Sequence, residues 1–354
     1  MLVVKRYQKN PIVWPNRANA WEAEAAFNGC AIESGSRVHL VYRAEAASQR
    51  VGDADVKLSS IGYAVSRNGT QFTGRRQLIQ PEYDWERYGC EDPRLTKFGN
   101  KHYIFYTALS TFPFSPDGIK VGLAVTRDFH QIEKHPVTPF NAKAMALFPR
   151  PVGGKMAAIL TANTDRPPSK IAIALFDKEE DIWSADYWHD WYAHLDEHVV
   201  PLLRSPNDHV ELGAPPVLTK HGWLIIYSYI RNYFSGRKIF GIEAALLDRD
   251  DPRKIVHRTD RPFLVPEEEY ELYGRVPNIV LLALYVVAIV AFIFAGYANG
   301  LQARRVRLPV YVMGVLVSTV ILLIQDLDRP NTGFINVSQQ PMIDVAASIA
   351  AYAK

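Results

Sequence analysis

Short apolar runs separated by polar turn residues occupy the first three quarters of the chain. Two clear runs are Val38-His39-Leu40-Val41-Tyr42-Arg43 and His102-Tyr103-Ile104-Phe105-Tyr106-Thr107, and the runs alternate with Gly, Asn, Asp and Pro. Runs of this length and composition predict β-strands. No long segment has the 3.6-residue apolar period of a helix, although the aromatic segment 183–195 fits a short helix or an ordered loop. The pattern predicts an all-β fold for residues 1–275.

One unit of this pattern recurs. Each copy is a strand of small and apolar residues that ends in a polar turn, and the copies are about 50 to 70 residues apart, which fits the four-stranded blades of a β-propeller with insertions. A β-sandwich is the alternative, but it does not explain a repeat of this length. The four copies begin at Ile61, Val121, Ile171 and Phe240.

The hydropathy changes near residue 276. Val276 to Ala298 contains no charged residue, and a second apolar run spans Leu308 to Ile324. A helix of about 20 apolar residues crosses a bilayer core of about 30 Å. Because the loop between the runs carries Arg304, Arg305 and Arg307, we interpret residues 276–325 as a two-helix transmembrane hairpin, followed by a polar, partly helical tail at 326–354. A buried core helix is the alternative for either run.

Composition adds mainly exclusions. A formal charge of +3 gives no case for nucleic-acid binding. The two cysteines, Cys30 and Cys90, form neither a disulfide framework nor a metal site. The sequence has no metal-binding motif and no glycine-rich phosphate loop, so we expect neither a metal nor another cofactor. The N-terminus is not a secretory signal peptide.

The most informative stretch is Tyr88-Gly89-Cys90-Glu91-Asp92-Pro93-Arg94. Gly and Pro indicate a turn or the mouth of a strand, and Pro93 biases Asp92 towards an extended backbone. Adjacent extended residues point to opposite faces, so Glu91 and Asp92 can share a pocket only if the chain bends. We expect one carboxylate to serve a site and the other to hold the loop or an arginine. The alternative is an exposed acidic loop paired with Arg94.

These residues resemble glycoside hydrolase family 130, a family of mannoside phosphorylases and β-mannosidases on a five-bladed propeller. The resemblance covers about residues 10–280. A fifth unit is expected near residue 300, where the chain is instead apolar, so we predict a propeller whose last blade is missing or incomplete. The matching stretches are Asn10-Pro11-Ile12, Phe27-Asn28-Gly29, Tyr42-Arg43-Ala44, Ile61-Gly62-Tyr63-Ala64, Glu91-Asp92-Pro93-Arg94, Tyr106-Thr107-Ala108, Gly213-Ala214-Pro215-Pro216, Gly222-Trp223-Leu224 and Val276-Pro277-Asn278.

The resemblance implies that Asp92 is the general acid, and that in phosphorylases the proton passes through a hydroxyl of the bound sugar. A glycosidase needs one carboxyl group held protonated near the leaving oxygen. Arg43 and Arg94 are candidates for contacting the sugar or orienting the carboxylates, with structural ion pairs as the alternative. The remaining candidates for substrate binding are Asn28, Glu91, Tyr106 and Lys143.

The nucleophile separates two chemistries. Phosphate needs a cationic cluster, and the His-Arg pair of the family's phosphorylases is absent from 158–163, which leaves Lys143 and Arg150. A hydrolase needs a second carboxylate about 6.5–9.5 Å from the acid. Glu211 and Glu243 are the candidates, and the alternative for Glu243 is a charge that protects a strand edge. We expect His209, His221 and His257 to lie on the surface or behind the site.

The sequence-based hypothesis is an inverting glycosidase that hydrolyses β-mannosides, with phosphorolysis by inorganic phosphate as the alternative. A third hypothesis is an inactive, membrane-tethered carbohydrate-binding propeller. The tail after residue 281 resembles an uncharacterised bacterial membrane family, which predicts a bacterial inner-membrane location with the propeller in the cytoplasm. The expected partners are a β-mannoside oligosaccharide, phosphate in the alternative, and the membrane through 276–325; the oligomeric state is left open.

Overall fold

The computed structural model describes residues 7, 9–52, 54–234 and 238–266. Apart from residue 266, this part of the chain belongs to a compact unit that ends at Val265, and most of it is β-sheet. The strands are β1 Ala25–Ser34, β2 Arg37–Val51, β3 Ala54–Ser66, β4 Thr73–Ile79, β5 Gly89–Phe98, β6 Lys101–Leu109, β7 Ile119–Thr126, β8 Glu133–Pro136, β9 Ala142–Leu147, β10 Met156–Ala162, β11 Lys170–Phe176, β12 His209–Leu212, β13 Val217–Thr219, β14 Gly222–Arg231, β15 Ile239–Leu247 and β16 Ile255–Arg258.

The strands form successive antiparallel meanders, which we call blades 1 to 4. Blade 1 contains β1–β4, blade 2 β5–β8, blade 3 β9–β11 and blade 4 β12–β16. A single parallel pair, Ser59 with Gly89, joins blades 1 and 2 into one sheet. In blade 4 the hydrogen-bonded order is β12-β14-β15-β16, with β13 also paired to β14. Counted in hydrogen-bonded order, the repeated sequence unit is the third strand of every blade, because its four copies fall in β3, β7, β11 and β15.

Alternation along the second strands explains how the blades stack. In β6, Ile104 packs into the core shared with blade 1, whereas its neighbour Phe105 packs into the core shared with blade 3. In β10, Leu160 faces the blade 2 side and Ile159 faces blade 4. Successive side chains of a strand point to opposite faces. The second strands are therefore buried on both sides, and they read in the sequence as continuous apolar runs.

The described residues contain two short α-helices, α1 Ala185–Ala193 and α2 Leu195–His198. The side chain of Ser184 accepts a hydrogen bond from the backbone N–H of Tyr187 and caps α1. Within α1, the side chains of Trp188 and Trp191 pack into the core of blades 2 and 3. The helix interpretation of the aromatic segment is therefore the correct one.

The predicted fold class is wrong in its transmembrane hairpin. Among the described residues, neither helix is long enough or apolar enough to cross a bilayer, and those residues are mostly β-sheet. The predicted hairpin at 276–325 and the tail at 326–354 lie outside the described residues, as does the place where the last blade was expected to be missing. The domain boundary at residue 275 remains a prediction.

Candidate active site

A bulge recurs on the first strand of blades 1, 2 and 3. Pairing with the second strand is interrupted at one place in each blade. There Asn28, Asp92 and Ala144 adopt positive φ angles of 48°, 51° and 50°. Asn and Asp tolerate this left-handed backbone better than most residues, and a bulge redirects the side chains of a strand. The bend that Glu91 and Asp92 require is thus built into the strand.

Asp92 lies where blades 1 and 2 meet. Asn28 Nδ2 donates a hydrogen bond to Asp92 Oδ1 at 2.7 Å, and Arg43 Nη1 approaches the same oxygen at 3.7 Å. The Asp92 side chain keeps 29% of its surface exposed. Its second oxygen has no protein hydrogen bond among the contacts of the described residues, so the carboxyl group is positioned from one side and accessible from the other.

Glu91 is held in the opposite way. Arg43 Nη2 lies 2.6 Å from Glu91 Oε1, and the Ser59 hydroxyl donates to the same oxygen at 3.1 Å. Burial raises the pKa of Glu91, the charge of Asp92 raises it further, and the charges of Arg43 and Lys143 oppose the rise. Glu91 therefore serves to fix the arginine, and Asp92 is the carboxylate that faces outward.

The raised pKa of Glu91 predicts a pH-dependent term in stability. As pH rises above the ordinary glutamate value of 4.5, the unfolded chain releases its proton while the folded chain still holds it. The unfolding free energy should therefore fall across that window and level off above the folded pKa. We expect this falling contribution to be absent from Glu91→Gln, as measured by urea unfolding from pH 4 to 7. Glu33→Gln, at an exposed position, is the control and should keep the wild-type slope; an unchanged slope in Glu91→Gln would contradict the prediction.

Two arginines brace this centre. The guanidinium of Arg43 also contacts Glu45 Oε1 at 3.0 Å and lies 4.8 Å from the ring centroid of Phe27. Arg94 Nη1 instead donates to the backbone carbonyls of Asp92 and Pro93, both at 3.2 Å. The alternative of an acidic loop paired with Arg94 is therefore not what forms, because Arg43 supplies the charge and Arg94 holds the bulge.

Blade 3 contributes a cation at the position that Glu91 occupies in blade 2. Lys143 pairs with Thr161, as Glu91 pairs with Thr107, directly before the bulge. Its ammonium lies 2.8 Å from Asp165 Oδ1, and its charge also acts on Glu91. Lys143 thus faces the same centre from the neighbouring blade.

Blade 4 contributes Glu211, which pairs with Ser228 on the second strand at the equivalent position. Its Oε1 lies 3.0 Å from Nε2 of the fully buried His209, and 41% of the Glu211 side chain is exposed. The ring of Tyr233 stacks on His209 at 4.1 Å. Burial raises the pKa of the Tyr233 hydroxyl, and the negative charges of Glu211 and Asp165 raise it further. Groups of blades 3 and 4 therefore both act on this hydroxyl.

Glu243 has a different environment. It is 1% exposed, Arg204 clasps both its oxygens at 2.8 and 2.7 Å, and the Tyr227 hydroxyl donates to it at 3.0 Å. Its charged strand position therefore faces an internal ion pair and not a wet cavity. These contacts favour a structural role.

The same triad of tyrosine, glutamate and cation recurs in blades 1 and 2. Each tyrosine occupies the same position of the second strand, opposite the bulge. In blade 2 the Tyr106 hydroxyl donates to Glu86 at 2.6 Å and Lys134 completes the triad. Tyr106 is thereby placed in the core and away from a sugar-binding role. The blade 1 triad consists of Tyr42, Glu22 and Arg75.

Three residues named in the sequence analysis lie apart from this centre. Arg150 is exposed in the turn after β9, at the opposite end of that strand from Lys143. His221 and His257 are exposed in the β13–β14 turn and in β16. The described residues hold no group of three or more His, Cys, Asp or Glu side chains that could bind a metal ion.

Sequence reasoning missed several contributors. Ser59, Asp165 and Tyr233 reach the centre from blades 1, 3 and 4, and each lies in a stretch without a distinctive motif. The sequence analysis named Lys143 and Glu211, but it did not place them at equivalent positions. A signal for that existed, because the second strands of blades 2, 3 and 4 align Thr107, Thr161 and Ser228. Aligning the first strands by their second-strand partners would have placed these side chains together.

Four blades thus bring two acidic residues, two cations and a histidine–glutamate pair to one centre, and a glycoside-cleaving enzyme is the class that this arrangement defines. The sequence profile described as β-1,4-mannooligosaccharide phosphorylase, that of glycoside hydrolase family 130, matches residues 3–298. The chain belongs to this family and is therefore an enzyme of the glycoside phosphorylase and hydrolase type.

Two curated proteins and one solved structure are similar to most of this chain. The chain is 30% identical to 1,2-beta-oligomannan phosphorylase of Thermoanaerobacter sp. (strain X514), over 79% of this chain and 88% of that protein. It is 29% identical to beta-1,2-mannobiose phosphorylase of the same strain, with the same coverage of both chains. The solved structure of beta-1,2-mannobiose phosphorylase from Listeria innocua with β-1,2-mannobiose matches with a TM-score of 0.57 and 23% identity, over 75% of this chain and 85% of that one.

The family match corrects the predictions that concern a membrane. It continues to residue 298, so the first predicted membrane span, Val276 to Ala298, falls inside the family domain. The predicted inner-membrane location depended on that hairpin and is wrong, and the comparisons do not support the membrane-family resemblance of the tail. Because the family is one of enzymes, the hypothesis of an inactive, membrane-tethered module is also dropped.

Proposed function

We propose that this enzyme cleaves β-1,2-linked mannosides by phosphorolysis, with Asp92 as the general acid. Two curated relatives, at 30% and 29% identity, are phosphorylases of β-1,2-linked mannosides. Phosphorolysis was the alternative in the sequence analysis, and these relatives favour it over hydrolysis.

The observation that carries the proposal is the presentation of Asp92. Its carboxyl group is fixed by Asn28 from one side and exposed on the other, and Arg43 of blade 1 lies 3.7 Å away. The charge of Lys143, from blade 3, acts on the adjacent Glu91. The sugar can therefore approach the acid and the phosphate can approach the cations. Phosphate brings negative charge to the site and keeps it through the transition state. Cationic side chains stabilise that charge.

In the proposed reaction, Asp92 supplies the proton that the leaving oxygen takes up, directly or through a hydroxyl of the bound sugar. Phosphate attacks the anomeric carbon from the opposite face, and the bond to the leaving oxygen breaks. The products are α-mannose 1-phosphate, formed with inversion, and the shortened sugar. Arg43 has two roles in this proposal. Its Nη2 pairs with Glu91 Oε1 at 2.6 Å, and its Nη1 places positive charge 3.7 Å from Asp92 Oδ1.

Hydrolysis is the second candidate, and the Glu211–His209 pair favours it. Glu211 occupies the inner position of blade 4, is part exposed, and is oriented by a buried histidine at 3.0 Å. An inverting hydrolase needs such a carboxylate to activate water. Glu211 would then act as the base and Asp92 as the acid.

The test is a turnover assay of the full chain on β-1,2-mannobiose and β-1,4-mannobiose, with and without inorganic phosphate. We expect mannose 1-phosphate to form only when phosphate is present, with the β-1,2 disaccharide as the better substrate. Proton NMR of the first product checks the α configuration. The same assay on Glu211→Gln distinguishes the candidates, because hydrolysis should fall about a hundredfold or more without its base.

Each outcome has a distinct meaning. Phosphate-independent release of free mannose that disappears in Glu211→Gln would replace phosphorolysis by hydrolysis. Phosphate-dependent turnover that survives in Glu211→Gln would support the first proposal. The absence of turnover on both disaccharides under both conditions would contradict mannoside cleavage.

A further inference from the structure

Three aromatic side chains lie close together beside the start of blade 2, and we call them the aromatic rim: Tyr88, Phe112 and Phe114. Phe112 and Phe114 are 40% and 52% exposed. The rings of Tyr88 and Phe112 are 6.0 Å apart, and those of Phe112 and Phe114 meet edge to face at 5.3 Å. A contiguous exposed aromatic patch of this kind marks a binding surface more often than a lone exposed ring does.

The rim lies at the same end of the β5–β6 strand pair as Asp92. Gly89 pairs with Leu109 at that end, Tyr88 directly precedes β5, and the two phenylalanines follow β6 within five residues. Asp92 is three residues from Gly89 and six from Phe98 at the other end. At about 3.3 Å per residue, the backbone of Tyr88 is on the order of 13 Å from that of Asp92.

The loop that carries the phenylalanines is internally held. Ser110 N donates to the carbonyl of Gly118 at 2.8 Å, and the hydroxyls of Thr111 and Ser115 are 3.2 Å apart. Gly118 is packed so closely on Thr111 that a Cβ has no room there. From blade 3, Asn141 Nδ2 donates to the Pro116 carbonyl at 3.1 Å. Both rings are therefore held exposed by a structured loop.

The β2–β3 hairpin of blade 1 also lies beside Tyr88. Strand β2 continues six residues past Glu45, which pairs with the first residue of β1, so the β2–β3 hairpin projects beyond the blade. At its tip, a Cβ on Gly52 would lie 3.3 Å from Arg87 Nη2 and 3.8 Å from the Tyr88 hydroxyl. The hairpin tip thus adjoins the rim at Tyr88.

We propose that the aromatic rim binds a sugar ring of the substrate that lies beyond the two rings at the cleaved bond. This inference rests on the proposed function, since it assumes that Asp92 marks the point of cleavage. A pyranose has an apolar C–H face that packs on an aromatic ring, and carbohydrate hydroxyls at its edge stay in water. The rim offers such faces on exposed side chains at the Asp92 end of the β5–β6 pair. The enzyme therefore prefers oligomannosides of three or more units to the disaccharide.

A substitution series with two readouts tests this inference. The variants are Phe112→Ala, Phe114→Ala and their combination, with Trp14→Ala as the control that removes a different ring, 60% exposed. Binding of β-1,2-mannobiose, mannotriose and mannotetraose is measured by calorimetry without phosphate. Cello-oligosaccharides of the same lengths are measured in parallel, and turnover of the disaccharide is assayed separately.

We expect the double variant to bind the trimer and tetramer about tenfold more weakly than wild type, because it loses two ring contacts. Binding and turnover of the disaccharide should change less than twofold, and Trp14→Ala should match wild type throughout. Equal binding of every oligosaccharide by the wild type and the double variant overturns the inference, whether or not mannosides are cleaved.

Two further outcomes are decisive. If the double variant loses affinity for longer cello-oligosaccharides while no mannoside is turned over, the rim is a sugar platform and the proposed function fails. Sedimentation velocity checks the other occupant of an aromatic patch, a second copy of this chain. A dimer that dissociates in the double variant, with oligosaccharide affinity unchanged, overturns the sugar assignment in favour of self-association.

Discussion

Asp92→Asn is expected to lower the turnover rate of mannoside cleavage by about a thousandfold, within the usual contribution of a general acid. The amide keeps the shape of the carboxyl group and still accepts the hydrogen bond from Asn28, now 2.7 Å long. It cannot supply a proton to the leaving oxygen. Because the side chain is part exposed and makes only one short contact, the melting temperature should change by no more than a degree or two.

The measurement is the initial rate with saturating phosphate and disaccharide, together with thermal unfolding of the same preparation. Asp84→Asn makes the same chemical change at an exposed position of the preceding loop and should leave the rate within twofold. A rate in Asp92→Asn above one tenth of wild type would exclude Asp92 as the acid, since it would show that the proton comes from elsewhere. A large loss of melting temperature would instead assign Asp92 a structural role.

Lys134→Met should lower the free energy of unfolding by about 3–5 kcal/mol, the largest loss of stability among the variants proposed for this enzyme. Glu86 is completely buried, and Lys134, 6% exposed in its side chain, is its cation at 2.5 Å. Burial alone would lower the pKa of Lys134, but the hydrogen bonds to Glu86 and Glu82 and the charge of Glu86 act together against burial, and the pKa is raised. Methionine fills a similar volume and leaves the carboxylate buried without a counter-charge. Among the described residues, the Tyr106 hydroxyl and the backbone N–H of Glu82 would be its only strong remaining donors.

Urea unfolding at neutral pH measures the effect. Lys101→Met is the matched control, because its pair with Glu179 is more than a quarter exposed on both sides and should contribute about 1 kcal/mol or less. Adding Glu86→Gln to Lys134→Met should restore part of the loss, since the buried charge is then gone. The triad would not be a stability element if Lys134→Met lost no more than Lys101→Met.

The amino-acid sequence alone was enough to predict the blade pattern, and it singled out the Glu91–Asp92 loop as the candidate site. The apolar runs and their turns are local signals, and the second strands read as continuous runs because both of their faces are buried. The Gly-Cys-Glu-Asp-Pro-Arg order predicted an extended Asp92, which is wrong because its φ is 51°, and it allowed Glu91 and Asp92 to share a pocket only if the chain bends. The bend is present as a bulge with a left-handed Asp92, and it separates a held carboxylate from an exposed one.

Predictions from the local sequence pattern were wrong where a residue's partner comes from a distant part of the chain. Glu243 reads as an anomalous charge in an apolar strand, and only the approach of Arg204, 39 residues away, makes it part of a buried triad. Val276 to Ala298 reads as a membrane span because hydropathy records composition alone, whereas the family match includes those residues.

Which side chains share the centre depends on how the blades pack together. Asn28 and Asp92 are 64 residues apart in sequence, and Lys143 and Glu211 come from two further blades. The physical reason is that each blade is a local meander that its own sequence can specify, whereas the centre forms only when the blades stack. Stacking is driven by apolar faces that carry no information about the polar residues they bring together. The sequence therefore named most of these residues singly, and the fold assigned their partners.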